Sequence, residues 1–133
     1  IAARLGKPMA YVRDSAKGHG MGQQVEGRVS PGQTAVILED LTSTGGSALN
    51  SVEALRAIGV RVDRSFSILT YGFASALEAY QKAEVTLVSL CGISTLLEIA
   101  TETDRITTDQ GRTVQEWLDK GPMVASRVDR VNP

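Results

Sequence analysis

The feature that most constrains this chain is a short aliphatic run that stops at two adjacent acids and passes through hydroxyl residues and glycines into a helix-forming stretch. It reads Val36-Ile37-Leu38-Glu39-Asp40-Leu41-Thr42-Ser43-Thr44-Gly45-Gly46-Ser47. The unbroken β-branched and aliphatic residues predict a parallel strand, residues 34–39, buried on both faces, because such strands lack the alternation of half-exposed ones. Beyond Ser47, Ala48, Val52 and Leu55 recur at helical spacing and Gly59 is placed to end the helix. Strand, acidic tip, Gly/Ser/Thr turn and helix, in that order, predict an α/β fold with its ligand at the carboxyl end of the strand.

Each part of that order has a physical use. Backbone N–H groups at a tight turn and at a helix N-terminus lack partners and carry the positive end of the helix dipole, so the turn from Thr44 to Ser47 can hold a phosphate. The hydroxyls of Thr42, Ser43, Thr44 and Ser47 add donors without adding charge. Glu39 and Asp40 would repel a phosphate they touched. They suit a ligand whose other end wants acceptors, such as sugar hydroxyls or a hydrated magnesium ion. A nucleotide P-loop is excluded because Gly46, not lysine, precedes Ser47. A dinucleotide fingerprint is excluded because its glycine spacing is absent after this strand. The plain alternative is a well-capped strand-to-helix turn, and the coincidence of acids, hydroxyls and glycines argues against it.

Composition narrows the class further. The chain has 133 residues, 42% hydrophobic, with a formal net charge of −1. That suits a single globular domain, residues 1–122, with residues 123–133 as a loosely held tail. Its interspersed charges advertise neither a nucleic-acid face nor a basic membrane patch. Cys91 is the only cysteine, so there is no disulfide framework and no metal spacing. No apolar run approaches the roughly 20 residues that span a bilayer, and the expected setting is a reducing cytoplasm. The chain starts at Ile1 as if partway through a helix ended by Gly6. That start predicts a longer parent whose first strands would otherwise leave apolar edges open.

Along the chain, residues 9–12 form a short strand candidate. Residues 14–24 then hold three glycines and His19, the only histidine. The stretch reads as a flexible loop, an electrostatic lid in which Arg13, Lys17 and His19 close over an anion, or simply a solvated loop. Residues 25–29 read as the returning arm of a hairpin, with a turn at Ser30-Pro31-Gly32-Gln33. Strands are expected at 65–71 and 85–90 and helices at 74–83, 95–101 and 114–118, the last with Trp117 as a core anchor. Strand and helix alternate, which implies right-handed crossovers and a central parallel sheet flanked by helices. Tyr71 and Phe73, at a strand's carboxyl end, are either packing residues or base-stacking ones.

The stretch from Glu39 to Ser47 resembles the phosphoribosyl pyrophosphate (PRPP) motif of type I phosphoribosyltransferases. The segment Tyr11-Val12-Arg13, with Lys17, His19 and Gly20, then Val25-Glu26-Gly27 and Pro31-Gly32, resembles the catalytic loop of orotate phosphoribosyltransferases. The resemblance runs from Pro8 to about Pro122 and implies the type I fold with a flexible catalytic loop, the amino-terminal part being absent. It implies Mg2+-dependent transfer of a phosphoribosyl group from PRPP to orotate, giving orotidine 5'-monophosphate and pyrophosphate in pyrimidine synthesis. Lys17, Asp40 and Glu39 are then the catalytic residues. Arg13, Lys17, His19, Glu39, Asp40, Leu41, Thr42, Ser43, Thr44, Gly45, Gly46 and Ser47 bind PRPP and its pyrophosphate, and Ser43 also touches orotate. Magnesium is carried by PRPP rather than by a protein metal site. The partners implied are PRPP, orotate and a second subunit, in a homodimer whose loops serve the neighbouring site. Two departures are present. Asp14 stands where many members have a second lysine, and Tyr71-Gly72 stands where many have an Asp-Arg pair that helps hold orotate. The rival readings are transfer to a purine or uracil, and a non-catalytic PRPP-binding regulator.

Overall fold

The computed structural model describes residues 1–13 and 24–122. The expectations for Lys17, His19, the rest of the loop and the tail at 123–133 lie outside the described residues. A short helix α1 (Ala2–Leu5) ends at Gly6 in the left-handed conformation and leads to strand β1 (Ala10–Val12). β1 pairs antiparallel with β2 (Val25–Gly27), Ala10 facing Gly27 and Val12 facing Val25, so the expected hairpin is present. Val12, Val25 and Val29 pack against the main core, which ties the hairpin to the rest of the domain.

The central element is a three-stranded parallel sheet in the order β3 (Thr34–Thr42), β4 (Arg61–Thr70), β5 (Thr86–Gly92). Helix α2 (Gly46–Ala57) joins β3 to β4, and α3 (Ala74–Lys82) joins β4 to β5. Both lie on one face. Ala48, Val52 and Leu55 of α2 meet Ile37, Val62, Tyr80 and Val85 in one buried cluster, as the helical spacing predicts. Gly59, with φ near 81°, follows the helix end and turns the chain back into β4.

The prediction that the strand at 34–39 is buried on both faces is corrected. Burial alternates along β3: Ile37 is buried, whereas Val36 and Leu38 are each 48% exposed. Together with Ile68, Val88 and Leu90 they form an apolar sheet face that no helix covers among the described residues. An unbroken aliphatic run records what each residue would tolerate, not what lies over it. The strand also continues through both acids to Thr42, because Leu41 and Thr42 keep their register with Leu69 and Thr70.

Other boundaries shift in the same way. β4 begins at Arg61 rather than Ser65, its polar start hiding a strand whose buried members are Val62, Ser65 and Ser67. After β5, α4 (Ile93–Glu102) is followed by α5 (Thr108–Asp119), longer than the 114–118 expected. α5 is set by a capping box in which Gln110 N–H donates to the Thr107 hydroxyl and the Thr107 N–H donates to the Gln110 side chain. Trp117 is not a core anchor: it is 44% exposed, and its neighbour Leu118 enters the small core with Phe73 and Ala76. The indole instead lies edge-on to Tyr71 and Phe73, with centroids 5.7 and 5.9 Å away.

Candidate functional site

The parallel order puts the carboxyl ends of β3, β4 and β5 side by side, with the starts of α2, α3 and α4 directly after them. None of these three helices has a side-chain cap, whereas α5, which follows another helix, carries its capping box. Uncapped N–H groups therefore gather on the edge where ligands bind in open sheets.

At the first of these ends, the chain leaves β3 at Thr42. Its carbonyl accepts from the Tyr71 N–H at 3.0 Å and from the Thr70 hydroxyl at 3.3 Å, which fastens the turn to the end of β4. Thr42 is buried, and its Oγ1 is the one buried side-chain oxygen without a partner among the described residues. Gly45 is also buried and adopts φ near 79°, a conformation that side chains with a Cβ rarely accept. Gly46 opens α2, so Gly46 and Ser47, expected in the turn, supply first-turn N–H groups. Ser43 is half-buried, while Thr44 and Ser47 reach solvent.

The two acids stand apart. Because β3 stays extended, Glu39 shares the face of Ile37 and Asp40 that of Leu38. One Asp40 carboxylate oxygen accepts from the Leu41 N–H at 2.7 Å, which holds the side chain toward the strand end. β3 is the sheet's edge strand among the described residues, so a ligand lying over that edge can meet both.

Arg13 sits at the neck of the hairpin. Its N–H donates to the Gln24 carbonyl at 2.9 Å, the Gln24 amide donates back to the Arg13 carbonyl at 3.0 Å, and its guanidinium pairs with Glu26. A partly exposed pair of this kind is worth at most about 1 kcal/mol, so the guanidinium can exchange Glu26 for a more highly charged anion.

A cleft of about 450 Å³ opens at the ends of β4 and β5, walled by Tyr71, Phe73, Ile93, Ser94, Gln115 and Asp119 among others. Tyr71 and Phe73 meet edge to face at 5.7 Å. Among the described residues of the lining, Asp119 is the one charged residue, and no cation joins it. Sequence reasoning missed Tyr80, whose ring lies against Gly45 in the turn after β3. Its signal was its place on the buried stripe of α3, four residues after Ala76.

No family model matches the chain. It is 47% identical over 116 residues to the orotate phosphoribosyltransferase of Bacillus subtilis (strain 168), a match covering 87% of this chain and 54% of that protein. The structure of Leishmania donovani UMP synthase superposes with a TM-score of 0.77 at 26% identity, over 90% of this chain and 26% of that one. The Mycobacterium tuberculosis H37Rv orotate phosphoribosyltransferase, solved with 5-phospho-alpha-D-ribosyl 1-diphosphate (PRPP), gives a TM-score of 0.56 at 27% identity, over 66% of this chain and 49% of that one. The fold is that of the type I phosphoribosyltransferases. Within that class, the curated relatives it matches are orotate phosphoribosyltransferases, and the chain spans about half of their length.

Proposed function

We propose that this chain carries the PRPP-binding part of an orotate phosphoribosyltransferase. The observation that carries the reading is the end of β3: two acids, a buried threonine hydroxyl without a partner and an uncapped helix start follow one another within a few residues. The turn from Thr42 to Ser47 takes the 5'-phosphate, its N–H groups and hydroxyls replacing water around the anion.

In the reaction, the bond from the ribose anomeric carbon to the diphosphate breaks and a bond to the base nitrogen forms. Positive charge grows on the ring and negative charge on the leaving diphosphate, so the protein must stabilise both and needs no nucleophile of its own. Glu39 and Asp40 hold the ribose hydroxyls across the edge of β3 and support the cationic ring. Leu41 brings its backbone past the sugar, and Ser43 lies at the family position that also touches orotate. Lys17 and His19, with Arg13 at the loop's neck, neutralise the diphosphate, in the neighbouring subunit of a homodimer.

The donor set also fits magnesium. Mg2+ would arrive on the diphosphate of PRPP, and Glu39 or Asp40 could meet its hydration shell without forming a metal site of their own. When bound, it lowers the negative charge of the departing group.

Calorimetric titration with Mg-PRPP tests the anchor, and pyrophosphate release with orotate, uracil, adenine and hypoxanthine in turn tests the transfer. Release with orotate alone is expected; PRPP binding without release from any base would favour the regulator. The cleft at Tyr71 supports a second reading, transfer to a base without a carboxylate, because its lining among the described residues offers no counter-charge to one. Lys17→Ala is expected to lower turnover by about a hundredfold or more without changing the melting temperature. Unchanged turnover would remove Lys17 from the reaction.

A further inference from the structure

Tyr80 lies in the main core, 2% exposed, near the end of α3. Its hydroxyl meets the Ser65 hydroxyl of β4 at 3.3 Å, and Ser65 is itself fully buried. The ring is thus held at one end by the sheet. Its other side reaches the phosphate turn. A Cβ placed on Gly45 would lie 2.6 Å from Tyr80 Cε2 and 3.2 Å from Cδ2, so the ring closes the space behind that residue's backbone. Gly45 is the N-cap of α2 in the left-handed conformation, with no side chain bonding the helix start. From the front, then, the turn has no cap to hold it. From behind, it has an aromatic wall fixed to β4.

We infer that Tyr80 is a positioning residue for the phosphate turn, acting through Gly45. The ring sets how far the Gly45 backbone can retreat into the core. It thereby sets the direction in which the first N–H groups of α2 point. The inference rests on the proposed PRPP anchor for its functional meaning, although the contact itself does not.

Amide hydrogen exchange without ligand, compared between the first bonded amide of the turn, Leu49, whose N–H donates to the Gly45 carbonyl at 2.9 Å, and residues 89–91 of β5, tests the contact. Tyr80→Leu should speed exchange at the turn about tenfold and leave β5 unchanged, because opening would be local to the turn. Tyr80→Phe keeps the ring and loses only the contact with Ser65, so it should restore near-normal exchange. Turn exchange unaltered by Tyr80→Leu, or raised equally in β5, would overturn the inference.

PRPP titration adds a second readout. If the two residues act as one unit, the losses of affinity in Tyr80→Leu and Gly45→Ala will not multiply in the double variant, falling short of their product by about tenfold. Losses that do multiply would show that Tyr80 acts on the fold in general, against the inference. Should Tyr80→Leu fail to fold, Gly45→Ala probes the same contact from the turn side, and unchanged turn exchange there would overturn the inference equally. A chain that binds no PRPP at all would overturn the proposed function, while hydrogen exchange would still decide the role of Tyr80.

Discussion

The starts of α2 and α5 are built from similar residues and finished in opposite ways. α5 begins at Thr107, whose hydroxyl and backbone exchange hydrogen bonds with Gln110, so the helix satisfies its own first turn. α2 is preceded by Thr42, Ser43 and Thr44, yet none of these hydroxyls caps it, and Gly45 takes the N-cap position without a side chain to offer. A polar helix start that closes on itself is a structural device. One that leaves its donors uncapped beside a buried hydroxyl without a partner keeps them open to a ligand, as proposed for this turn. The contrast turns two similar sequences into two different expectations.

Adding charge should break the contrast most sharply. Ser47→Asp puts a carboxylate in the first turn of α2, where it should stabilise the ligand-free helix by about 0.3–1 kcal/mol through the dipole. The same charge would occupy the seat of the phosphate and repel it. PRPP affinity should fall by about a thousandfold, comparable to losing several charge-assisted hydrogen bonds. A higher melting temperature with lost binding is the expected pair of results; retained binding would move the phosphate away from this turn.

Asp40→Asn sharpens the contrast from the strand side. It keeps the shape and the contact with the Leu41 N–H while removing charge, so turnover should fall by about ten- to a hundredfold through the lost support of the cationic ring. Inorganic phosphate affinity, which reads the turn alone, should change little. If that affinity vanished as well, the turn rather than the acid would have been disturbed.

Thr42→Val gives a smaller and two-signed effect. Replacing a buried hydroxyl that has no partner by a methyl group should leave the ligand-free chain as stable or more stable by about 1 kcal/mol. Affinity for PRPP should fall by about tenfold, the worth of one hydrogen bond to a charged group. Melting and titration of the same variant check both halves.

The sequence made the contrast only half legible. Glu39, Asp40 and the Thr/Gly turn point to a ligand through residue type alone, since acids, hydroxyls and glycines that coincide at a strand's end have few structural uses. The covered core face was legible too, because Ala48, Val52 and Leu55 keep helical period and all three are buried. What no local pattern carried was the identity of each residue's neighbours. Val36 and Leu38 are as aliphatic as Ile37 and lie on the opposite, exposed face. Trp117 has the size of an anchor, but the helix phase gives the core to Leu118 instead. Tyr80 could be seen as a buried residue of α3, whereas its contact with Gly45 spans two crossovers and exists only in three dimensions.

The smallest expected effect completes the comparison. Thr107→Ala removes the side chain that caps α5, leaving a first-turn N–H without its partner and freeing Gln110 from its reciprocal bond. Loss of a threonine cap costs about 1 kcal/mol, seen as a lower melting temperature. PRPP affinity and turnover should not move, because α5 begins away from the carboxyl ends of β3, β4 and β5 and its donors serve only itself. A variant that melted earlier and bound PRPP normally would separate capping from ligand binding within one chain. Weakened binding in Thr107→Ala would instead mean that α5 and the turn after β3 are coupled, for example through Leu118, Phe73 and the aromatic wall of the cleft.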